Sequence, residues 1–480
     1  MKKSILSMLV VASLLSCNND KNEEENPINS DVLAKNQSKT PVFLSKKEGF
    51  EKLEIFSLLS SEDVLTQSPN FVYGSMADGM GLMKNQDGTF TLINNIEAAY
   101  SIARVTFDKT FKPVKGEYIL NAVATAGTAQ CSGSLITPEE HGFGPLFLSG
   151  GEWDGTSKGV FATDPFKSAE TAGIAKMLPS FGQWSAENAV VIGKDAYPNK
   201  TVAFIGDDTS DDSTPSGQLA MYVGNRGDLN AGKLYGLKVA ASGINVEMDM
   251  KEGVSYDAQF VEYSERTLDG LESESRAKGI MGFSRVEDID YRKGSAESNR
   301  EIYFAVTGRK KTALIGKGSV YGRIYKVILN GNDPTKATIT CVLDGDKLDG
   351  KAKQFHSPDN VVATKDYLYI LEDPNGYPDT ADKKHFAYLY QYNIKTGALK
   401  VVLECDQTAA EKAGYGLASI ASEVTGMIDV SETIGVEGSF LIITQNHGWI
   451  KPGFKDPKAD AGPKAVTEGS VLHLIKGLER

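Results

Sequence analysis

From about residue 70 to the C-terminus, apolar and polar positions alternate in short runs closed by Gly, Asp, Asn and Pro. That period-two pattern predicts strands, and no stretch sustains the 3.6-residue period of a long helix. Two segments, SAETAGIAKML and DQTAAEKAGYG, read as short helices in insertions. Aligned on their polar starts, four segments repeat one plan. SAENAVVIG leads into KTVAFIGDDT and GQLAMYVG, and RVEDIDYRK leads into REIYFAVTG and YGRIYKVILNG. SPDNVVATK leads into DYLYILEDPNG and FAYLYQYNIKTG, and SEVTGMIDVS into GSFLIITQNHG and GSVLHLIKGL. GTFTLINNIEAAY with IARVTFD, and QCSGSLITP with GPLFLSGGEW, look like two further copies. Each unit supplies three or four antiparallel strands, the content of a propeller blade. The pattern predicts an all-β chain with one six-bladed β-propeller over residues 46–480. A pair of β-sandwiches is the competing architecture.

This repeat has a chemical consequence. The innermost strand of a blade runs along the central channel, so a polar residue opening it faces the channel mouth. Glu187, Glu287, Asp359 and Glu423 fall at corresponding places in four units. Four carboxylates are therefore expected in one small volume. Like charges at that range oppose one another's ionisation unless cations compensate them, and calcium is the natural partner of carboxylate oxygens. The plainer alternative is that each acid caps a turn by accepting backbone N–H bonds.

The charge balance narrows the partners. A 480-residue chain with net charge −12 carries no basic stripe to neutralise phosphates, which argues against nucleic acid. The N-terminal MKKSILSMLVVASLLSC has two lysines, an apolar run too short to span a bilayer, and then Cys17. It reads as a lipoprotein leader over residues 1–16 with Cys17 acylated; a plain secretory signal is the alternative. Residues 17–45 are too polar to fold and read as a tether, whose acidic start resembles surface-export signals of some bacterial lipoproteins. The expected location is lipid-anchored at the outer membrane, facing the periplasm or the cell surface.

Three cysteines then remain. Cys341 and Cys405 end apolar strands and read as core residues or as a disulfide pair. Cys131, in AGTAQCSGSLITP, is surrounded by small and hydroxyl residues and is the thiol available for chemistry. A thiolate beside oxygen ligands favours a transition metal such as iron next to calcium. Arg285, within FSRVEDIDYR, suits an anion, because a guanidinium binds phosphate oxygens through two parallel hydrogen bonds. An ion pair with Asp288 or Asp290 is the structural alternative. Five His residues form no HExxH, CSGSL is not a GxSxG elbow, and no GxxxxGK[ST] loop occurs. DDTSDDSTPSG is Asp-dense but lacks EF-hand spacing, and reads as a solvated or loosely calcium-binding loop.

Taken in order, CSGSLITP, RVEDID…EIYFAVTG, HSPDNVVA…YLYILED and EVTGMIDV…LIITQNHG resemble the PhoX-type alkaline phosphatases over roughly residues 70–475. The resemblance implies an exported six-bladed propeller that hydrolyses phosphomonoesters with iron and calcium in its channel. It implies Cys131 as an iron ligand, with Glu152, Glu187, Glu287 and Asp359 as acids of the metal site. Arg285 is then the phosphate-binding arginine, acting in catalysis with Glu287. Glu423, counted with the metal ligands, and His447 lie in family motifs. Departures are Ala186 where the family has His, NNIE (with Asn95) for Asn-His-Glu, GGE for Cys-Glu-Glu, and QNHG for Gln-His-Pro-Gly. The expectation is a monomeric, lipid-anchored phosphatase acting on a small-molecule phosphoester. The competing expectations are a non-catalytic, calcium-stabilised binding propeller and a calcium-dependent lactone or sugar-ester hydrolase.

Overall fold

The computed structural model describes residues 31–209, 211–374, 380–463 and 466–480. The expected leader and Cys17 lie outside the described residues. Apart from short helices, the chain is antiparallel β-structure. Six strands each lead a run of sheet: β1 (Ala77–Lys84), β2 (Thr128–Ile136), β3 (Ala186–Val191), β4 (Val286–Tyr291), β5 (Pro358–Ala363) and β6 (Glu423–Asp429). Each packs against the next, and β6 packs back against β1. The leading strands thus close a ring, and the fold is propeller-like. Behind β4, for example, Glu301–Val306, Arg323–Leu329 and Lys336–Asp344 come outward as successive antiparallel partners.

Burial follows position in the run. All of β3 is buried, as is Lys200–Asp207 beyond its first residue, so these inner strands read as nearly continuous apolar runs. The outermost strand behind β3, Ser255–Glu262, alternates instead, with Ala258 and Phe260 turned inward. The hydrophobic core lies between facing sheets. Phe204, Met221 and Leu237 from the run behind β3 meet Ile302, Phe304 and Tyr325 from the run behind β4. Leu92 and Val105 meet Leu441, Leu472 and Leu474 where the ring closes. Each such side chain contributes roughly 1.5–3 kcal/mol on burial, so these interfaces fix the radial angles that aim the leading strands.

An early and a late strand share one sheet. Glu54–Ser60 pairs with Glu468–Lys476, from Glu54 opposite Lys476 to Ser60 opposite Val471. Leu44–Lys46 pairs with Leu399–Cys405, while Val32 and Ala34 pack against the apolar cluster behind β1. The described part of the expected tether therefore runs along the domain surface.

Several expectations need correction. Among the described residues the hydrogen-bonded sheets number five, because Ser255–Glu262 pairs with Lys336–Asp344 and joins the runs behind β3 and β4 into nine strands. Residues 168–178 form only the 3₁₀ turn Ala169–Thr171, although Gln407–Lys412 is helical as expected. Leu268–Lys278 is a helix the periodicity did not predict; Thr267 caps it, and Leu271 and Ser275 are its buried residues. Too little of it is apolar to register as an amphipathic stripe. Cys341 and Cys405 are free thiols buried in different clusters, which excludes a disulfide between them.

Candidate metal centre

Each leading strand slips register by one residue: between Ala77 and Met80, Gln130 and Gly133, Ala186 and Ala189, Val286 and Ile289, Pro358 and Val361, and Thr425 and Ile428. A bulge sets two residues opposite one and re-aims their side chains. In the first five strands the first extra residue is an acid or a thiol: Asp78, Cys131, Glu187, Glu287 and Asp359. The strand following each leading strand contributes a second ring. The N–H groups of Glu97, Asp208, Thr307 and Asp373 donate to the carbonyls of Met76, Ser185, Arg285 and Ser357 at 2.8, 2.8, 3.2 and 3.1 Å. Each acceptor lies two residues ahead of its bulge acid, so these four occupy one repeated place. Glu152 sits in the strand paired with β2, between the Gln130–Gly151 and Thr128–Asp154 pairs.

The two rings converge in three groups, each with its ligand atoms within 4.8 Å of one another. Glu187, Glu287 and Asp359 form the first. Glu97, Cys131 and Glu152 form the second, and Asp373, Glu423 and His447 the third. Glycines permit this convergence. A Cβ on Gly206 would lie 2.4 Å from the Glu287 carbonyl oxygen, and one on Gly150 2.2 Å from that of Glu187. Without side chains there, adjacent sheets approach closely enough for their acids to meet.

Hydrogen bonds orient the ligands. The Cys131 thiol donates to Glu152 Oε2 at 3.0 Å, and the Ser132 N–H to Glu187 Oε1 at 3.0 Å. Trp153 Nε1–H donates to Glu97 Oε1 at 2.6 Å and Gln445 Nε2–H to Glu97 Oε2 at 3.3 Å. His447 Nδ1 lies 2.6 Å from Glu468 Oε2, which leaves Nε2 turned toward Glu423, 3.9 Å away. Among the described residues no backbone N–H donates to Glu287, Asp359 or Glu423, so the turn-capping alternative does not describe these acids.

Arg285 borders the first group. Its Nε and terminal nitrogen donate to Asp208 Oδ1 and Oδ2 at 2.8 and 2.9 Å, a two-pronged pair. The same terminal nitrogen lies 3.0 Å from Glu287 Oε1, but without hydrogen-bond geometry, so that buried oxygen has no hydrogen-bond partner. Pairing of Arg285 with Asp288 or Asp290 is not what forms. Asp288 accepts from the Val361 N–H at 3.0 Å, and Asp290 from the Ala363 N–H at 2.8 Å.

The electrostatics are lopsided. The carboxylates of Asp78, Glu97, Glu152, Glu187, Asp208, Glu287, Asp359, Asp373 and Glu423 interact here, against the cations of Arg285, Lys158 and His447. Burial first, and neighbouring acids second, push Glu152 and Glu187 well above the ordinary carboxyl range. Glu287, Asp359 and Glu423 are raised as strongly, again chiefly by burial. Burial raises Glu97 to about 7, and burial together with Glu97 and Glu152 raises the Cys131 thiol. Two ionised carboxylates at 4.8 Å repel by roughly 3–4 kcal/mol at an effective dielectric constant of about 20. Protons or polyvalent cations must offset that.

Of the residues expected from sequence, Glu187, Glu287 and Asp359 meet, Cys131 meets Glu152, and Arg285 stands beside Glu287. Glu423 does not hold the place of the other three. It is the first residue of β6, opposite Gln445 and ahead of its bulge, and so joins a neighbouring group. Asp78, Glu97, Asp208 and Asp373 were not expected. The last three close NNIE, IGDD and LED at the ends of second strands, so aligning strand ends as well as starts would have found them. DDTSDDSTPSG supplies Asp208 to Arg285, Asp211 to Arg276 at 3.6 Å and Asp212 to Arg309 at 2.6 Å, while Asp207 accepts from the Thr209 hydroxyl at 2.9 Å.

The sequence profile of the family described as "Alkaline phosphatase PhoX" matches residues 160–434, more than half the chain. That span holds the first group, Arg285 and Glu423, while Cys131, Glu152 and His447 lie outside it. No curated protein matches the chain. Among solved structures, the AfRom2 CNH domain is 10% identical with a TM-score of 0.35, over 89% of this chain and 100% of that one. The Neurospora crassa Pan2 WD40 domain is 9% identical with a TM-score of 0.35, over 88% and 95%. The GH43 β-1,3-galactosidase BT3683 is 10% identical with a TM-score of 0.35, over 88% and 99%.

Proposed function

Because the chain belongs to the PhoX alkaline phosphatase family, we propose that it is a metal-dependent hydrolase of small-molecule phosphomonoesters. Its centre would lie at the mouth of a six-bladed propeller channel. The blade count treats the nine-stranded sheet as two blades joined at their outer edges, and the ring of six leading strands supports it. The observation that carries the functional reading is the position of Arg285, 3.0 Å from an oxygen of the three-carboxylate group that accepts no hydrogen bond. A guanidinium, a group suited to phosphate oxygens, thus borders a cage that suits cations.

The residues present fit bound metal. Glu187, Glu287 and Asp359 offer only oxygen, the donor set of calcium. Cys131 with Glu97 and Glu152 adds a sulfur, which suits iron, and His447 brings nitrogen to the third group. Ala186, where the family has His, is packed in an apolar cluster beside Trp184 and offers no ligand. When bound, the metals supply positive charge that stabilises the charge built up during phosphoryl transfer. The chain's own residues do the rest. Asp208 accepts from Nε and one terminal nitrogen of Arg285 and fixes the guanidinium before substrate arrives, and the other terminal nitrogen binds and orients the phosphate. Ser132, Trp153, Gln445 and Glu468 fix the ligand side chains so that little reorganisation is left for the reaction.

The same reading has the protein act as a monomer, attached to the outer membrane through acylated Cys17. No helix among the described residues is long and apolar enough to cross a membrane. Elemental analysis of protein purified without chelators is expected to find iron together with calcium, and that protein is expected to hydrolyse an aryl phosphate. Calcium alone, with no hydrolysis, would overturn the proposal in favour of a calcium-stabilised binding module.

A further inference from the structure

We propose that Glu247 and Glu372 are a matched pair of positioning residues, each gripping the backbone just ahead of one functional segment so that Arg285 with Glu287, and Asp359, face the centre. The inference rests on the phosphatase reading only for what those segments do; the grip itself is visible in the contacts. Both carboxylates are fully buried. Glu372 Oε1 accepts the His356 N–H at 2.7 Å, and His356 stands three residues before Asp359. Glu247 Oε2 accepts the Ser284 N–H at 2.5 Å, and Ser284 stands three residues before Glu287. The offset is identical although the two acids come from unrelated places, one from a turn within an insertion and the other from the end of a strand.

Next along the chain from each gripped N–H is a left-handed residue other than glycine: Arg285, at φ 72°, comes one residue after Ser284, and Ser357, at φ 62°, one after His356. L-residues adopt that conformation only where surrounding contacts over-determine it. Those contacts come from both sides, since the Arg285 and Ser357 carbonyls accept from the Thr307 and Asp373 N–H groups. The remaining carboxylate oxygens are also engaged. Glu247 Oε1 accepts the Ser319 N–H at 2.6 Å, Glu372 Oε2 the Tyr388 N–H at 3.0 Å, and Glu372 Oε1 also the Tyr390 hydroxyl at 2.8 Å. Backbone N–H groups can only donate, so both oxygens of each acid must accept. A carboxamide satisfies one N–H and sets an NH₂ against the other.

Both grips reach the three-carboxylate group, and only that of Glu247 also reaches Arg285, so their losses separate in phosphate affinity. Glu247→Gln is expected to raise KM for an aryl phosphate, and the Kd for inorganic phosphate, about ten-fold or more through Arg285, and to weaken calcium binding as well through Glu287. Glu372→Gln is expected to weaken calcium binding by about 10- to 100-fold, the range for lost outer-shell support of a ligand. Calorimetric titration with calcium alone and with inorganic phosphate reads both, on protein shown by circular dichroism to be folded. Where a Gln variant does not fold, Glu247→Asp and Tyr390→Phe take its place, with smaller shifts in the same quantities. Folded variants that keep wild-type phosphate affinity and calcium affinity, losing only thermal stability, would reduce both acids to structural residues and overturn the proposal. Absence of turnover in the wild-type protein would instead count against the phosphatase reading, and the two titrations would still decide the positioning.

Discussion

Replacing Glu287 by Gln is expected to lower kcat/KM on an aryl phosphate by roughly a thousand-fold or more, while Cys341→Ala leaves it unchanged. Glu287 is buried, contributes to the three-carboxylate group and lies beside Arg285. Gln removes one negative charge from a cation site and turns an NH₂ toward either the cation or the guanidinium. A metal that stabilises transition-state charge contributes several kcal/mol, and about 4 kcal/mol corresponds to a thousand-fold in rate. Cys131→Ala tests the second group the same way and is expected to be comparably severe, with loss of the softer metal. Cys341 lies in the apolar cluster shared by the runs behind β3 and β4 and belongs to none of the three ligand groups, so its replacement costs packing alone. Kinetics and metal analysis on the three variants form the check. Retention of activity in both Glu287→Gln and Cys131→Ala would remove the proposed centre.

Stripping the protein of metal is expected to lower its thermal midpoint by about 10 °C and to steepen its loss of stability as pH rises. An ion held at about a thousand times its Kd stabilises the folded state by about 4 kcal/mol. Two such ions, over the unfolding entropy of a chain this long, correspond to a shift of that order. The pH response has its origin in burial. Burial raises Glu97 from an ordinary value of 4.5 to about 7, and Asp288 from 3.8 to about 7. Between those limits the folded, metal-free protein holds protons that the unfolded chain has released. Its stability therefore falls as pH rises from near 4 through about 7. Bound cations favour the ionised carboxylates of the site and remove their share of that loss. Melting curves with and without chelator, from about pH 5 to about pH 8, should diverge as pH rises. A metal-free protein whose midpoint climbs over that interval would contradict the account.

Much of this is legible in the sequence, and the reasons are local. Period-two alternation marks the outer strands because each has one buried and one exposed face, as in Ser255–Glu262. The polar starts of the repeats stood out because each begins a leading strand whose remaining residues are apolar. Cys131 stood out by its surroundings, and Arg285 by standing two residues before a carboxylate. The helix at Leu268–Lys278 was illegible because a surface helix on an insertion buries few side chains. The fusion of two runs into nine strands was equally hidden, since pairing between outer edges leaves no signature in either strand.

The sequence by itself determined which residues open the repeats and that several of them are acids, because repetition and alternation are properties of the chain. It could not determine which acids share an ion. That depends on a one-residue register slip in each leading strand, which turns Glu187, Glu287 and Asp359 to one point and leaves Glu423 at another. It depends too on glycines that let neighbouring sheets close up, and on second strands that bring Glu97, Asp208 and Asp373 in behind. Distances of a few ångströms between residues far apart in the chain are set by the packing of sheet on sheet, and only the tertiary structure decides them.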